Sequence, residues 1–364
     1  MSKIRVLIVD DSALIRKVLK EILSSDPDIE VVGTANDPLI ARDKIKLLSP
    51  DVVTLDVEMP KMDGITFLKN LMRLRPMPVV MISTLTDAGA GVTLQALELG
   101  AVDFVSKPKM DVNVAIKEYS EEIIEKVKMA SLVTRDFLAR KYEMASERAK
   151  SDQQATAHAI SELQSDNKFL NTTDKIIAIG SSTGGTEAVK QVLQALPPNV
   201  AGIVVAQHIP ITFSGPFAQR LNDCTQLTVT QAKTGDLIMP GRVYIAPGDK
   251  HLIIKKSGAK YYCKLEDGPE VNRHKPSVEV LFNSVAECAG PNAMGIMLTG
   301  MGADGAKGML EMRRKGSFNV AQDEKTSVVW GMPGAAVKLD AVEKVVPLNK
   351  VADEIIKYCQ RSSE

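Results

Sequence analysis

Two α/β units joined by a polar linker are predicted, and three observations carry the prediction. At 364 residues the chain exceeds one ordinary domain. Short apolar runs alternate with segments of helical period toward both ends. Between them lies a stretch rich in charge, Ala, Ser and Gln and poor in aliphatic residues. The expected boundaries are residues 1–130, a linker over 131–172, and a second unit over 173–364.

The first unit reads strand, helix, strand throughout. "IRVLIVD" precedes "SALIRKVLKEILSS", "IEVVGTA" precedes "PLIARDKIKLL", and "DVVTLDV" precedes "GITFLKNLMRL". "PVVMIST", "GVTLQALELG", "DFVSKP" and the amphipathic "NVAIKEYSEEIIEKVKMASL" complete it. Five strands interleaved with five helices predict a doubly wound five-stranded parallel sheet. The linker is expected to be helical in its first part and solvated beyond. In the second unit, "KIIAIG", "AGIVVAQH", "GRVYIAP", "HLIIKK", "YYCKLE", "MGIMLTG" and "FNVAQD" read as strands. Helical patterns such as "TEAVKQVLQALP" and "PSVEVLFNSVAECAG" lie between them, and a hairpin is expected around residues 243–265.

Composition narrows the function class. Hydrophobic residues make up 45% and charged residues 25%, as in a soluble globular protein. The 45 basic and 45 acidic side chains cancel, which argues against electrostatically driven nucleic-acid binding. No apolar run reaches the length of a membrane span. The start, "MSKIRVLIVDDS", enters a strand without a signal-peptide core, so a cytoplasmic location is expected. The four cysteines (Cys224, Cys263, Cys288, Cys359) have no C-x-x-C spacing and read as reduced, partly buried thiols.

Three carboxylates stand at strand ends of the first unit: Asp10 and Asp11 after the first strand, Asp56 at the third. The carboxyl ends of parallel strands share one edge, so the three are expected to converge. Such a cluster repels itself unless a hard cation such as Mg²⁺ neutralises it. Ser83 and Lys107, at the ends of the fourth and fifth strands, supply a hydroxyl and an ammonium suited to phosphoryl oxygens. Each residue alone reads equally well as a turn former or helix cap. The five together, in this order, do not. "VLIVDDS", "TLDVEMPKMDG", "VVMIST" and "DFVSKP" resemble the receiver domains of two-component response regulators. The resemblance implies that Asp56 accepts a phosphoryl group from a histidine kinase. It further implies that Mg²⁺ is held by Asp11, Asp56 and the Glu58 carbonyl, with Asp10 acting through water. Ser83 and Lys107 would contact the phosphoryl oxygens, and Phe104 occupies the aromatic switch position.

A receiver is a switch, so function rests on the second unit. No short basic helix-turn-helix follows the linker, and a full α/β unit points to an enzyme. "IIAIGSSTGG" runs a buried-type strand into Ser181, Ser182, Thr183 and two glycines. Two readings fit this turn: a phosphate cradle at a helix N-terminus, or an exposed serine nucleophile. A nucleophile needs a base and a group to orient it. Of the four histidines, His158 lies in the linker, His251 reads as a surface residue, and His274 lies in a polar loop able to line a site. His208, which ends "GIVVAQH" as the serines end their strand, is the best base. Asp304, in the glycine-dense "TGMGADGAKG", is either the third partner or an ordinary turn aspartate.

"IGSSTGGTEAV", "VVAQHIP", "FAQRLN", "VNRHKPSVEVLF", "LTGMGADGA" and "WGMPGAA" resemble the output domain of the bacterial chemotaxis methylesterases. The resemblance implies Ser182 as nucleophile, His208 as base and Asp304 as orienting acid, with Thr183 beside the nucleophile and the Met301 N–H in the oxyanion hole. It implies hydrolysis of glutamate γ-methyl esters on chemoreceptors, with release of methanol, and deamidation of receptor glutamines. Hydrolysis would need no cofactor, and the chain would be monomeric, with a histidine kinase and methyl-accepting chemoreceptors as partners. Two rival readings are a receiver-controlled serine hydrolase acting on another substrate and a non-enzymatic, phosphorylation-dependent regulator. Methanol release from methyl-labelled receptor membranes, and its dependence on Ser182, separates the three.

Overall fold

The computed structural model describes residues 2–83, 87–107, 113–140, 142–143 and 174–361. They belong to two compact units, Met1–Asp166 and Asn167–Glu364. Most of the expected linker, including His158, lies outside the described residues.

In the first unit, strands β1 (Ile4–Val9), β2 (Ile29–Ala35), β3 (Val52–Asp56), β4 (Val79–Ser83) and β5 (Asp103–Ser106) alternate with five helices. These are α1 (Ala13–Ser24), α2 (Pro38–Leu48), α3 (Gly64–Leu74), α4 (Asp87–Glu98) and α5 (Asn113–Ser131). A further short helix, α6, covers residues 135–140. The strands pair in parallel in the order β2-β1-β3-β4-β5. β3 and β4 are buried along their whole length, because helices cover both faces of a doubly wound sheet. Ser12, Asp37 and Asp63 cap α1, α2 and α3 by accepting hydrogen bonds from first-turn amides. The strand order reverses between β1 and β3, so a crevice opens where Asp10 and Asp56 stand.

The second unit is built on a seven-stranded sheet in the order β14-β13-β12-β6-β7-β9-β8, parallel throughout. Its strands are β6 (Ile176–Ser181), β7 (Gly202–Gln207), β8 (Thr228–Gln231), β9 (Arg242–Ile245), β12 (Ala293–Met297), β13 (Phe318–Gln322) and β14 (Lys344–Val346). The helices are α7 (Gly185–Gln194), α8 (Ile211–Cys224), α9 (Val278–Ala289), α10 (Ala306–Arg314), α11 (Met332–Lys338) and α12 (Leu348–Gln360). β10 (His251–Ser257) and β11 (Lys260–Glu266) form a separate antiparallel hairpin.

The hairpin therefore starts later than the expected residue 243, and β9 belongs to the parallel sheet. Both β9 and β10 are short apolar runs, and nothing in their composition separates a sheet strand from a hairpin arm. β8 and β14 are edge strands of four and three residues with exposed positions, too short for a pattern to show. Phe213 and Phe217 of α8 and Phe282 of α9 are fully buried anchors of the core. No described helix is long and apolar enough to cross a membrane.

From β6 the chain winds one way through β7 and β9, and β12, β13 and β14 extend the sheet the other way. The switch point thus lies at β6 and β12, where open α/β sheets bind ligands beyond the strands' carboxyl ends.

Candidate active site

Ser182, His208 and the turn 299–304 follow β6, β7 and β12 at that switch point. In the parallel pairing Ser181 stands opposite Gln207, so Ser182 and His208 are the next residues out on neighbouring strands. The His208 N–H donates to the Ser181 carbonyl at 3.1 Å, and the Ser182 N–H donates to the Thr299 carbonyl at 3.0 Å. Gly300 makes a close approach from the third strand: a Cβ there would lie 2.9 Å from Ser182 Cβ and 2.3 Å from Met332 Sδ. Any side chain at 300 would push the turn away from Ser182.

The two serines differ in what they touch. Ser181 is fully buried, and its hydroxyl donates to Gln207 Oε1 at 2.6 Å. Ser182 is half-buried, and among the described residues its hydroxyl has no hydrogen-bond partner. Gly184 follows at φ +75° as the cap residue of α7, a left-handed conformation that glycine adopts without Cβ strain. Thr183 is buried, and its carbonyl accepts from the Thr299 hydroxyl at 3.0 Å. The Met301 N–H likewise has no partner among the described residues.

Gln207 was not singled out from the sequence. Besides accepting from Ser181, its amide Nε2 donates to the Ser182 carbonyl at 2.9 Å and the His208 carbonyl at 3.1 Å. One buried side chain thereby ties the serine and histidine backbones together. Replacing Gln207 with Leu leaves the His208 carbonyl and the Ser181 hydroxyl without their partner and the Ser182 carbonyl with the Gly185 N–H alone. It should cost about 1–3 kcal/mol. Trp330, the single tryptophan, reports the second unit's unfolding by fluorescence; an unshifted transition would show that the amide does not brace the site.

His208 Nε2 lies 2.9 Å from Asp304 Oδ2, with the two side chains 8% and 1% exposed. An ionised carboxylate only accepts, so the Nε2 proton belongs to His208, and in the neutral ring Nδ1 carries the lone pair. Nδ1 is buried with no partner, an acceptor left open. Asp304 also accepts from Asn272 Nδ2 (2.8 Å), Ser277 Oγ (2.8 Å), the Val278 N–H (2.7 Å) and the Glu279 N–H (3.3 Å). Burial opposes its ionisation, but the bonds from His208, Asn272 and Ser277 outweigh this and hold its pKa at about 2.

His274 stacks on His208 with ring centroids 3.6 Å apart. It closes a tight turn in which Val271 and His274 exchange backbone hydrogen bonds, with Asn272 at φ 54° and Arg273 at φ 67°. Positive φ at both central residues is the mark of a type I′ turn. Asn272 at its tip went unrecognised in the sequence; the asparagine of "VNRH" in a two-residue turn is the signal that could have found it. His251, expected on the surface, is 3% exposed. Its Nε2 donates to the Pro269 carbonyl at 2.9 Å and its Nδ1 accepts from the Ser277 N–H at 3.1 Å. The correction follows from its position, the first residue of a strand packed under α9.

In the first unit, Asp10, Asp11 and Asp56 each offer a carboxylate oxygen within 4.8 Å of the others. Lys107 Nζ lies 2.8 Å from Asp56 Oδ2 and 3.3 Å from Asp10 Oδ2. Burial, reinforced by the Asp10 charge, raises Asp56 to about 6 despite Lys107. Asp10 is raised as well, chiefly by burial. One lysine does not balance three carboxylates, while Asp11 is exposed and open to water. That donor set suits a hard divalent cation. Ser83 and Phe104 are buried at β4 and β5. The Glu58 N–H lies 3.4 Å from Asp56 Oδ1, and Asp11 and Glu58 line a cavity of about 750 Å³ beside the cluster.

Comparisons with known proteins agree with both halves. Residues 177–355 match the family model described as CheB methylesterase, and residues 6–117 match the response regulator receiver domain. A protein of Hydrogenovibrio crunogenus described as protein-glutamate methylesterase/protein-glutamine glutaminase is 54% identical over 99% of this chain and 100% of its own. One of Xanthomonas campestris pv. campestris with the same description, numbered 1, is 56% identical over 97% of this chain and 96% of its own. The crystal structure of the Thermotoga maritima CheB methylesterase catalytic domain is 38% identical over 50% of this chain and 97% of that one, with a TM-score of 0.49.

Proposed function

The chain belongs to the CheB methylesterase family, with a response regulator receiver domain ahead of the methylesterase domain, and from that premise we propose how its residues divide the work. It is a receiver-controlled protein-glutamate methylesterase/protein-glutamine glutaminase. The substrates are glutamate γ-methyl esters and particular glutamines on chemoreceptors. Ser182 is the nucleophile, His208 the base and Asp304 the orienting acid. The observation that carries this assignment is the His208–Asp304 pair, which leaves His208 Nδ1 without a partner on the residue that follows β7, beside the strand that ends at Ser181.

Ser182 Oγ attacks the γ-carbonyl carbon while its proton passes to His208 Nδ1. The Met301 N–H receives the oxyanion, and Thr183 stands beside the nucleophile. Collapse breaks the C–O bond, and His208 returns the proton to the leaving oxygen, which departs as methanol. Water then attacks the acyl-enzyme, with His208 again taking a proton, and glutamate and the free Ser182 result. With a glutamine substrate the C–N bond breaks and ammonia leaves.

In the receiver, Asp56 accepts the phosphoryl group from a histidine kinase, and Lys107 and Ser83 engage its oxygens. Asp11, Asp56 and the Glu58 carbonyl would hold Mg²⁺, with Asp10 acting through water. When bound, the ion supplies the positive charge that the crowded carboxylates lack. Phe104 is the aromatic switch residue.

Membranes carrying methyl-labelled chemoreceptors test the whole reading. Labelled methanol should appear, and a phosphodonor should speed its release. Asp56→Asn should abolish that stimulation and keep basal turnover, because Asp56 has no part in hydrolysis. No methanol from the unmodified protein would defeat the substrate assignment; undiminished stimulation of Asp56→Asn would defeat the phosphoacceptor.

A further inference from the structure

We propose that Glu279 is a positioning residue for the hydrolytic site, holding the turn that carries Met301 and Asp304 by a reciprocal clasp between two helix N-termini. Asp304 stands one residue before Gly305, the cap residue of α10. Its carboxylate accepts the Val278 and Glu279 N–H groups of the first turn of α9, at 2.7 and 3.3 Å. In return Glu279, on α9, reaches the start of α10. Its Oε2 accepts the Gly305 N–H at 3.1 Å. Each acid thus caps the helix that the other belongs to or precedes.

The arrangement is costly unless it is complete. Two partly or wholly buried carboxylates stand near one another, and burial together with the Asp304 charge raises the pKa of Glu279. The positive ends of two helices and their otherwise unpaired amides offset the repulsion. Gly305 provides no side-chain cap of its own, and the Glu279 carboxylate accepts its amide. If Glu279 is removed, α10 loses that capping contact, and the segment just before it, residues 301–304, keeps the bonds that Asp304 accepts but loses its hold at the start of α10. A small displacement there moves the acceptor that fixes His208 and the amide offered to the oxyanion together. Neither Glu279 oxygen contacts His208 or Ser182, so the effect runs through Asp304 and the turn.

This inference rests on Asp304 being the orienting acid, and the test keeps the two apart. Full-length Glu279→Ala, Glu279→Gln, Asp304→Asn and the two double variants are compared for kcat and KM in methanol release, and for unfolding by Trp330 fluorescence. Glu279→Ala should lower kcat about tenfold with KM little changed, since misplacement far from the substrate acts on the reacting geometry. Glu279→Gln, which keeps one carbonyl acceptor for Gly305, should recover part of that loss. In the Asp304→Asn background the same changes should cost clearly less in kcat, because one of the two groups they position is already lost. A Glu279→Ala protein that is destabilised with unchanged kcat overturns the proposal, as does a kcat loss of equal size in both backgrounds. Should Glu279→Ala fail to fold, the cycle with Glu279→Gln is read by the same criteria. Full turnover in Asp304→Asn alone would instead defeat the orienting role of Asp304.

Discussion

Ser182→Ala should lose at least about 10³-fold in kcat and leave the second unit's stability almost untouched, while Ser181→Ala should do the reverse. Removing a nucleophile that acts with its base as one unit leaves only what binding and oxyanion stabilisation supply. Ser182 is half-buried, and its hydroxyl has no partner among the described residues, so its loss breaks no bond of the fold. Ser181 is fully buried and donates to Gln207 Oε1 at 2.6 Å. Deleting that donor strands a buried acceptor, which costs about 1–3 kcal/mol. Methanol release and Trp330-detected unfolding, measured on both variants, give a crossed pattern if the assignment holds. Equal losses of activity in the two would remove Ser182 from the nucleophile's place.

Much of this was legible in the sequence because the chemistry sits at strand ends. A buried parallel strand is a continuous apolar run, so where "IIAIG" or "IVVAQ" stops, the carboxyl edge of the sheet begins. Asp56, Ser182 and His208 could be located that way, and the geometry brings Ser182 and His208 side by side through the β6–β7 register. Asp304 was less clear, since a glycine-rich turn gives an aspartate many local uses. Five donors converge on it, from the end of β7, the 271–274 turn and the start of α9, none near it in sequence. For the same reason Gln207, Asn272 and Glu279 escaped notice: each acts through partners that only tertiary structure supplies. His251 shows the converse. Polar neighbours in "PGDKH" suggested a surface, yet the strand it opens is packed beneath α9. α8 was obscured by its own Gly215 and Pro216, which break the helical pattern without breaking the helix.

Asp304→Asn should lower kcat by at least about 10²-fold and also destabilise the second unit, and both effects follow from the donors around the carboxylate. All five partners of Asp304 donate; none can accept in its present role. An amide group must turn its NH₂ toward one side or the other. If it faces His208, the ring can accept only by moving its own proton to Nδ1, which destroys the acceptor Ser182 needs. The amide would then also point at the Val278 N–H. If it faces the other way, it opposes the Asn272 amide and the Glu279 N–H, and the mismatch costs about 1–3 kcal/mol. Loss of the charge adds a pH dependence. The folded pKa of about 2 lies below the usual aspartate value. Ionised Asp304 therefore contributes stability that is fully present above about pH 4 and lost as pH falls toward 2. That contribution is on the order of 2 kcal/mol. Trp330-detected unfolding should accordingly separate the unmodified protein from Asp304→Asn at neutral pH and bring them closer between about pH 4 and 2. A folded variant with near-normal turnover would reduce the site to a Ser182–His208 pair. An unfolding difference that stays constant through that pH range would mean that the hydrogen bonds, and not the charge, make Asp304 matter to the fold.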